Sequence, residues 1–161
     1  MPTWLVSLVG AAQRAIAALE STQPLAQLAA RLYIAQVFFA SGLTKVRHWE
    51  ATLALFEDEY QVPLLSPALA AVLGTAGELV LPVLLALGLA GRFAAAGLTV
   101  VNAVAVISLA EIAPAALQQH VFWGSLLVAL LLWGPGRWSL DRWISPRLLE
   151  DTPTARYTRA A

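Results

Sequence analysis

Val62–Gly91 reads VPLLSPALAAVLGTAGELVLPVLLALGLAG, and Glu78 is its single charge. About 20 apolar residues at 1.5 Å rise each cross the hydrocarbon core of a bilayer, and this run is long enough. It decides the fold class, because it reads as a helix that crosses a membrane. A carboxylate near mid-depth costs about 2.5–3.5 kcal/mol on insertion scales, so it needs a partner or a task. Pro82, one turn further on, has no N–H to give the Glu78 carbonyl. The helix therefore carries an acid and an unpaired backbone acceptor at one level, which is the pattern of a polar site inside a helix bundle.

The remaining composition agrees. Of 161 residues, 59% are hydrophobic and 12% charged, and the mean hydropathy is +0.70. Soluble domains carry about 45–50% apolar and about 25% charged residues, so this chain is an integral membrane protein with length for one bundle. Its net charge of zero leaves no electrostatic footprint for nucleic acid. The absence of cysteine excludes disulfide exchange, iron–sulfur ligation, thiolate–zinc sites and thioether-linked haem.

Working outward, the flanking segments predict an all-α, four-helix antiparallel transmembrane bundle. The first span runs from about Pro24 to Val46, with Pro24 suited to a first helical turn. The second covers about Ser66–Leu89 and the third Phe93–Ala110, with Asn102 in its middle. For the fourth, Val121–Trp133 is too short alone. Extension back to Pro114 gives a full span and places Gln118, Gln119 and His120 inside the helix, and Gly134-Pro135-Gly136 stops it. Residues 1–23 read as an amphipathic interfacial helix, because Leu5, Leu8, Val9, Ala12, Ile16 and Leu19 share one face. A signal peptide is disfavoured: no basic region precedes this stretch and no A-x-A-like site follows it. Within Arg47–Leu65, Trp49, Leu53, Phe56 and Tyr60 recur at helical spacing, which predicts a short helix over one mouth of the bundle. Residues 145–161 form a polar tail.

Lys and Arg counts set the orientation. Arg14, Arg31, Arg92, Arg137, Arg142, Arg147, Arg156 and Arg159 fall on one side, and only Lys45 and Arg47 on the other. Both termini are expected inside and Arg47–Leu65 outside, in a multi-pass protein of the cell inner membrane.

Five stretches, in order, resemble the DoxX family of small four-span bacterial membrane proteins. They are FFASGLTK (Phe38–Lys45), GTAGELVLPVLLALG (Gly74–Gly88), NAVAVIS (Asn102–Ser108), HVFWG (His120–Gly124) and GPGRWSLD (Gly134–Asp141). The resemblance implies a role beside a membrane redox complex, since relatives resemble subunits of a thiosulfate:quinone oxidoreductase or associate with thiol-redox and oxidative-stress enzymes.

The polar residues inside the spans are the candidate ligand-binding set: Arg31, Lys45, Glu78, Asn102 and His120. Glu78 and Asn102 lie near the midplane by residue count, and a long guanidinium brings Arg31 within reach of Glu78. Two readings stand. Arg31, Glu78 and Asn102 fix helix register as polar glue, or they receive a small polar head group such as a quinone carbonyl. Lys45 reads as an interfacial anchor, or as the partner of an anion at the outer mouth, with Glu111 and Glu57–Glu59 as protein partners. His48 and His120 lack the spacing of a metal-ligand pair, so no metal site is expected and both read as interface histidines. Ser139 and Asp141 read as capping residues at the inner face. Gly42, Gly74, Gly77 and Gly97 permit close approach of spans. The six tryptophans, mostly at span ends, read as an aromatic belt.

Two functions follow as expectations. The first is a quinone- or small-lipid-interacting subunit of a membrane redox complex, with no intrinsic cofactor and the electron-transfer centre on a protein partner. The second is a non-enzymatic scaffold or assembly factor that docks a soluble or secreted partner. A proton or ion transporter is disfavoured, because one acid, one midplane amide and no repeat make a thin relay.

Overall fold

The computed structural model describes residues 2–144, and within them the fold is helical. Helix α1 is Thr3–Arg47, α2 Trp49–Asp58, α3 Pro67–Leu87, α4 Gly91–Ile107 and α5 Pro114–Trp133. Helices α3 and α5 are long and apolar enough to cross a membrane, with mean hydropathies of 2.0 and 1.5. Helix α4 is apolar but shorter, at 17 residues or about 25 Å. The polar residues 145–161 expected to form a tail lie outside the described residues.

The four long helices pack as neighbours in the order α1, α3, α4, α5, and α5 returns to α1. Ile34, Phe38, Leu85, Leu98 and Leu127 meet at the centre with Ala94 and Ala95, so each long helix contributes to one core. Small residues set the spacing. A Cβ added at Gly42 would stand 3.0 Å from Leu79 and 3.1 Å from the Glu78 Cβ, so α1 and α3 approach through this glycine.

The largest departure from the sequence reading is α1. It is one helix of 45 residues, about 68 Å long, and it passes through Pro24 without ending. A separate helix start at Pro24 is therefore corrected. Proline can occupy an internal position where the preceding turn tolerates the loss of one hydrogen bond. Pro24 is buried, whereas every residue from Pro2 to Gln23 except Gly10 is exposed. The apolar stripe of Leu5, Leu8, Val9, Ile16 and Leu19 is thus an extension of the first bundle helix that leaves the core behind.

The other boundaries match closely. Helix α5 begins at Pro114, so Gln118, Gln119 and His120 do lie inside it. Helix α2 covers one end as expected: Phe56 packs on Ala70 and Ala71 of α3, with Trp49, Leu53, Tyr60 and Val62 around them. The loop after α2 is tied to the loop after α4, since Tyr60 bridges to Leu109 and the Gln61 N–H donates to the Ser108 carbonyl at 2.8 Å.

At the opposite end, α3 and α4 meet in a tight turn with Gly88 and Ala90 both at positive φ, 66° and 48°. Asp141 holds this turn. Its carboxylate accepts the N–H groups of Ala90 (2.7 Å) and Gly91 (2.8 Å), and its own N–H donates to the Gly88 carbonyl at 2.9 Å. Helix α4 has no acid in its own first turn, so a residue 50 positions away supplies the anion that its positive end favours. The expectation that Asp141 caps rather than catalyses agrees with this geometry.

Candidate functional site

The candidate site grows from two helices that run in opposite directions. In any α-helix the side chains lean toward the N-terminus. Lys45, near the end of α1, therefore leans back along α1. Glu78, in the middle of α3, leans toward the α2 end. They meet beside Gly42. The Lys45 Nζ donates to the Glu78 Oε2 at 2.5 Å and to the Ser41 hydroxyl, one turn back, at 3.0 Å. The pair is largely withdrawn from solvent, with side chains 17% and 10% exposed.

This corrects two sequence readings. Glu78 pairs with Lys45, not with Arg31. Lys45 in turn meets an acid of the neighbouring helix, not Glu111 or Glu57–Glu59 at the mouth. Arg31 lies at the far end of the bundle, 2% exposed. Its Nη1 donates to the carbonyls of Pro135 and Trp138, and its Nη2 to the Ala86 carbonyl at 2.9 Å. Ala86 is about 12 Å further along α3 than Glu78, which puts the two charges out of reach. The carbonyls of Pro135 and Trp138 terminate no helix bond in the chain stop after α5, so that end of the protein holds acceptors that attract a guanidinium.

Asn102 and His120 form a second polar contact between α4 and α5. The Asn102 amide donates to the His120 carbonyl at 3.0 Å, and its oxygen faces the His120 Nδ1 at 2.8 Å. That arrangement requires the ring proton on Nδ1. Trp123 meets the same ring edge-on at 5.1 Å. This is an interhelical clasp, and a Cβ at Gly124 would stand only 3.3 Å from the Asn102 amide. Neither Asn102 nor His120 lines the cavity beside the ion pair.

That cavity has a volume of about 180 Å³ and lies between α3, α4 and the α2 cap. Lys45 and Glu78 stand on one wall and Tyr60 on another, and Phe56, Leu73, Val101 and Val104 make much of the rest. Tyr60 is held by a stacked contact with Phe56, ring centroids 4.9 Å apart. Burial first, and then the carboxylates of Glu78 and Glu59, hold the Tyr60 phenol above the ordinary tyrosine range, so it stands in the cavity as a protonated donor. A cation, a carboxylate and a phenol thus share one small, mainly apolar chamber.

Tyr60 is the member that sequence reasoning missed. The sequence assigned it to the apolar face of the short helix, whereas it lies just beyond the end of α2 and still packs against Phe56. The missing signal was the loop that folds it over the start of α3. Among the described residues no group of three His, Asp or Glu side chains converges to hold a metal ion.

The helices and their hydropathy define an integral membrane protein of the all-α class. The family model for DoxX matches residues 26–111, more than half the chain, and the protein belongs to that family. The match covers the Lys45–Glu78 pair and Asn102, and it ends before His120 and the Asp141 turn. No curated protein matches the sequence, and no solved structure matches it.

Proposed function

We propose that this chain is a four-span, multi-pass protein of the cell inner membrane, with Arg47–Leu65 outside. In this reading it receives the head group of a lipid-soluble carrier, a quinone first among them, as an accessory subunit of a membrane redox complex. The observation that carries the proposal is the cavity beside the Lys45–Glu78 pair. It is lined by two donors, the Lys45 ammonium and the Tyr60 phenol, among mainly apolar side chains. A flat ring with two carbonyl oxygens suits that set of groups: each oxygen accepts one hydrogen bond, and the ring rests on Phe56 and the valines. Glu78 keeps the ammonium in place and leaves the chamber neutral as a set. The chain supplies binding and orientation, and a partner protein supplies the electrons.

The test is quinone content after purification from native membranes in mild detergent, quantified by mass spectrometry. Lys45→Met and Tyr60→Phe are expected to keep wild-type helicity and to lose most of the bound quinone. Equal quinone content in both variants and wild type overturns the reading.

A second reading, docking of a protein partner, is favoured by one observation. The apolar stripe of α1 before Pro24 is exposed along its whole length. Recovery of a stoichiometric protein partner without quinone in the same preparation would decide for it.

A further inference from the structure

A second site lies at the other end of the molecule, and it does not depend on the quinone reading. Two cavities open between α1 and α5 and share Gln23, Gln27 and Trp133 on their walls. One, of about 530 Å³, runs along the helices and is lined mainly by Ala26, Ala30, Leu126, Ala129 and Leu130. The other, of about 490 Å³, opens at the helix ends, where Glu20, Arg137 and Arg142 surround it. Together they form one cleft that is apolar along the bundle and charged at its mouth.

The dimensions follow from the residues. On both helices this part extends over eight residues, Gln23 to Ala30 on α1 and Leu126 to Trp133 on α5, or about 10.5 Å. Three alanines keep it open where larger side chains would close it. The floor between the two parts is Gln27, whose side chain packs directly against the Gly136 backbone. Trp133 is exposed at the junction, the depth at which an amphipathic ring favours the membrane interface.

The mouth is electrically unbalanced. Among the described residues the guanidinium of neither Arg137 nor Arg142 has a hydrogen-bond or ion-pair partner, and Arg142 is tied only through its backbone N–H to the Ser139 carbonyl. Two guanidiniums face one carboxylate, which leaves a single positive charge. Arginine presents a fork that grips phosphate oxygens bidentately. Pro24 adds a complementary feature: it has no N–H for the Glu20 carbonyl, so the Glu20 backbone and side chain both present acceptors at the mouth.

We propose that this cleft binds an anionic phospholipid. Its phosphate rests on Arg137 and Arg142, the hydroxyls of its head group donate to Glu20, and the first part of an acyl chain lies between α1 and α5. A single negative charge neutralises the mouth, and a hydroxylated head group uses the free acceptors. Basic pockets between membrane helices are suited to such head groups. A zwitterionic phosphocholine leaves the positive charge of the mouth uncompensated and offers Glu20 no hydroxyl, and a free anion leaves the apolar half of the cleft unused.

The experiment uses the full chain in detergent, with thermal unfolding and native mass spectrometry as readouts. The probes are phosphatidylglycerol, phosphatidylcholine and inorganic phosphate. Phosphatidylglycerol is expected to raise the unfolding temperature saturably and to stay bound in the mass spectrum, with little effect from the other two. Arg137→Gln combined with Arg142→Gln is expected to weaken phosphatidylglycerol retention about tenfold or more, because charge-assisted bonds to phosphate are lost. Ala129→Phe, which fills the groove and leaves every charge in place, is expected to lose retention as well. It keeps the test valid if the arginine variant fails to fold. Equal stabilisation by phosphatidylcholine overturns the proposal in favour of unspecific lipid. So does an equal shift from inorganic phosphate that survives Ala129→Phe, and so does unchanged retention in either folded variant.

Discussion

Arg31 and Lys45 are both buried cations of α1, about 21 Å apart along its axis, and the protein uses them in opposite ways. Arg31 is surrounded by acceptors that belong to the backbone: Ala86 in the last turn of α3, and Pro135 and Trp138 in the chain after α5. It lines neither the chamber beside Lys45 nor the cavities between α1 and α5, and a Cβ on Gly88 would already stand 3.0 Å from its Nη1. Lys45 has one acid, one hydroxyl and an open chamber. Three of the five N–H donors of Arg31 rest on fixed carbonyls and its Nε is buried without a partner, so the guanidinium is a strut that nothing reaches without unfolding the end of the bundle. An ammonium with three donors, and only two of them placed on protein groups, has capacity to bind something else. Both cations keep unused donors, so what separates a structural charge from a site is the space around it, more than burial or valence.

The sharpest way to break this comparison is Arg31→Met. The methionine fills similar length but leaves three buried carbonyls without a donor, and a loss of about 3 kcal/mol or more is expected. Denaturant or thermal unfolding in detergent would register it, and a variant as stable as wild type would remove Arg31 from the role of strut. A smaller effect is expected at the other end. Glu78→Gln and Lys45→Met should each cost about 2 kcal/mol, since each strands the partner, and the double variant should recover part of that loss. Strictly additive losses would show that the 2.5 Å contact contributes nothing as a pair.

The smallest effect concerns Tyr60. The folded protein holds the Tyr60 proton more tightly than the unfolded chain does, with burial as the main cause and Glu78 and Glu59 adding to it. Its contribution to stability is therefore complete below the ordinary tyrosine pKa of about 10 and is lost as pH rises through the higher folded value. An ultraviolet titration of phenolate absorbance, read as wild type minus Tyr60→Phe, should place this phenol above the ordinary range. Glu78→Gln should move it back down. If Glu78→Gln leaves the titration unchanged, the carboxylate does not act on the cavity.

Much of this was legible in the sequence, and the misses have identifiable causes. Helices α3, α4 and α5 follow from apolar length with Pro67, Gly88, Pro114 and Gly134 as punctuation, and the structure places their ends within a few residues of the expected ones. The extent of α1 was not legible, because Pro24 signals a helix start and an internal position equally well. The polar inventory was legible, since a charge in an apolar run stands out, but its pairing was not. Residue counts give depth along a helix and say nothing about which face a side chain occupies or which way it leans. Lys45 was placed at the mouth by its position near Arg47, yet its side chain points back into the bundle. Arg31 was sent toward Glu78 by the attraction of opposite charges, when the carbonyls of Pro135 and Trp138 were the partners. Backbone carbonyls carry no signal in a sequence, so a guanidinium satisfied by them cannot be anticipated from residue types.

The partners of Arg31 also impose an order on biosynthesis. They lie 55, 104 and 107 residues further along the chain. A ribosome delivers residue 31 early and residues 135 and 138 near the end of the described chain. Until then α1 carries a cation without these acceptors, which favours keeping that part of the helix in contact with water. Ala86 supplies the first acceptor once α3 has followed it. The last two arrive only after α5 has entered, together with Asp141, which fastens the α3–α4 turn. The contacts that latch this end of the bundle therefore come from residues made after α5.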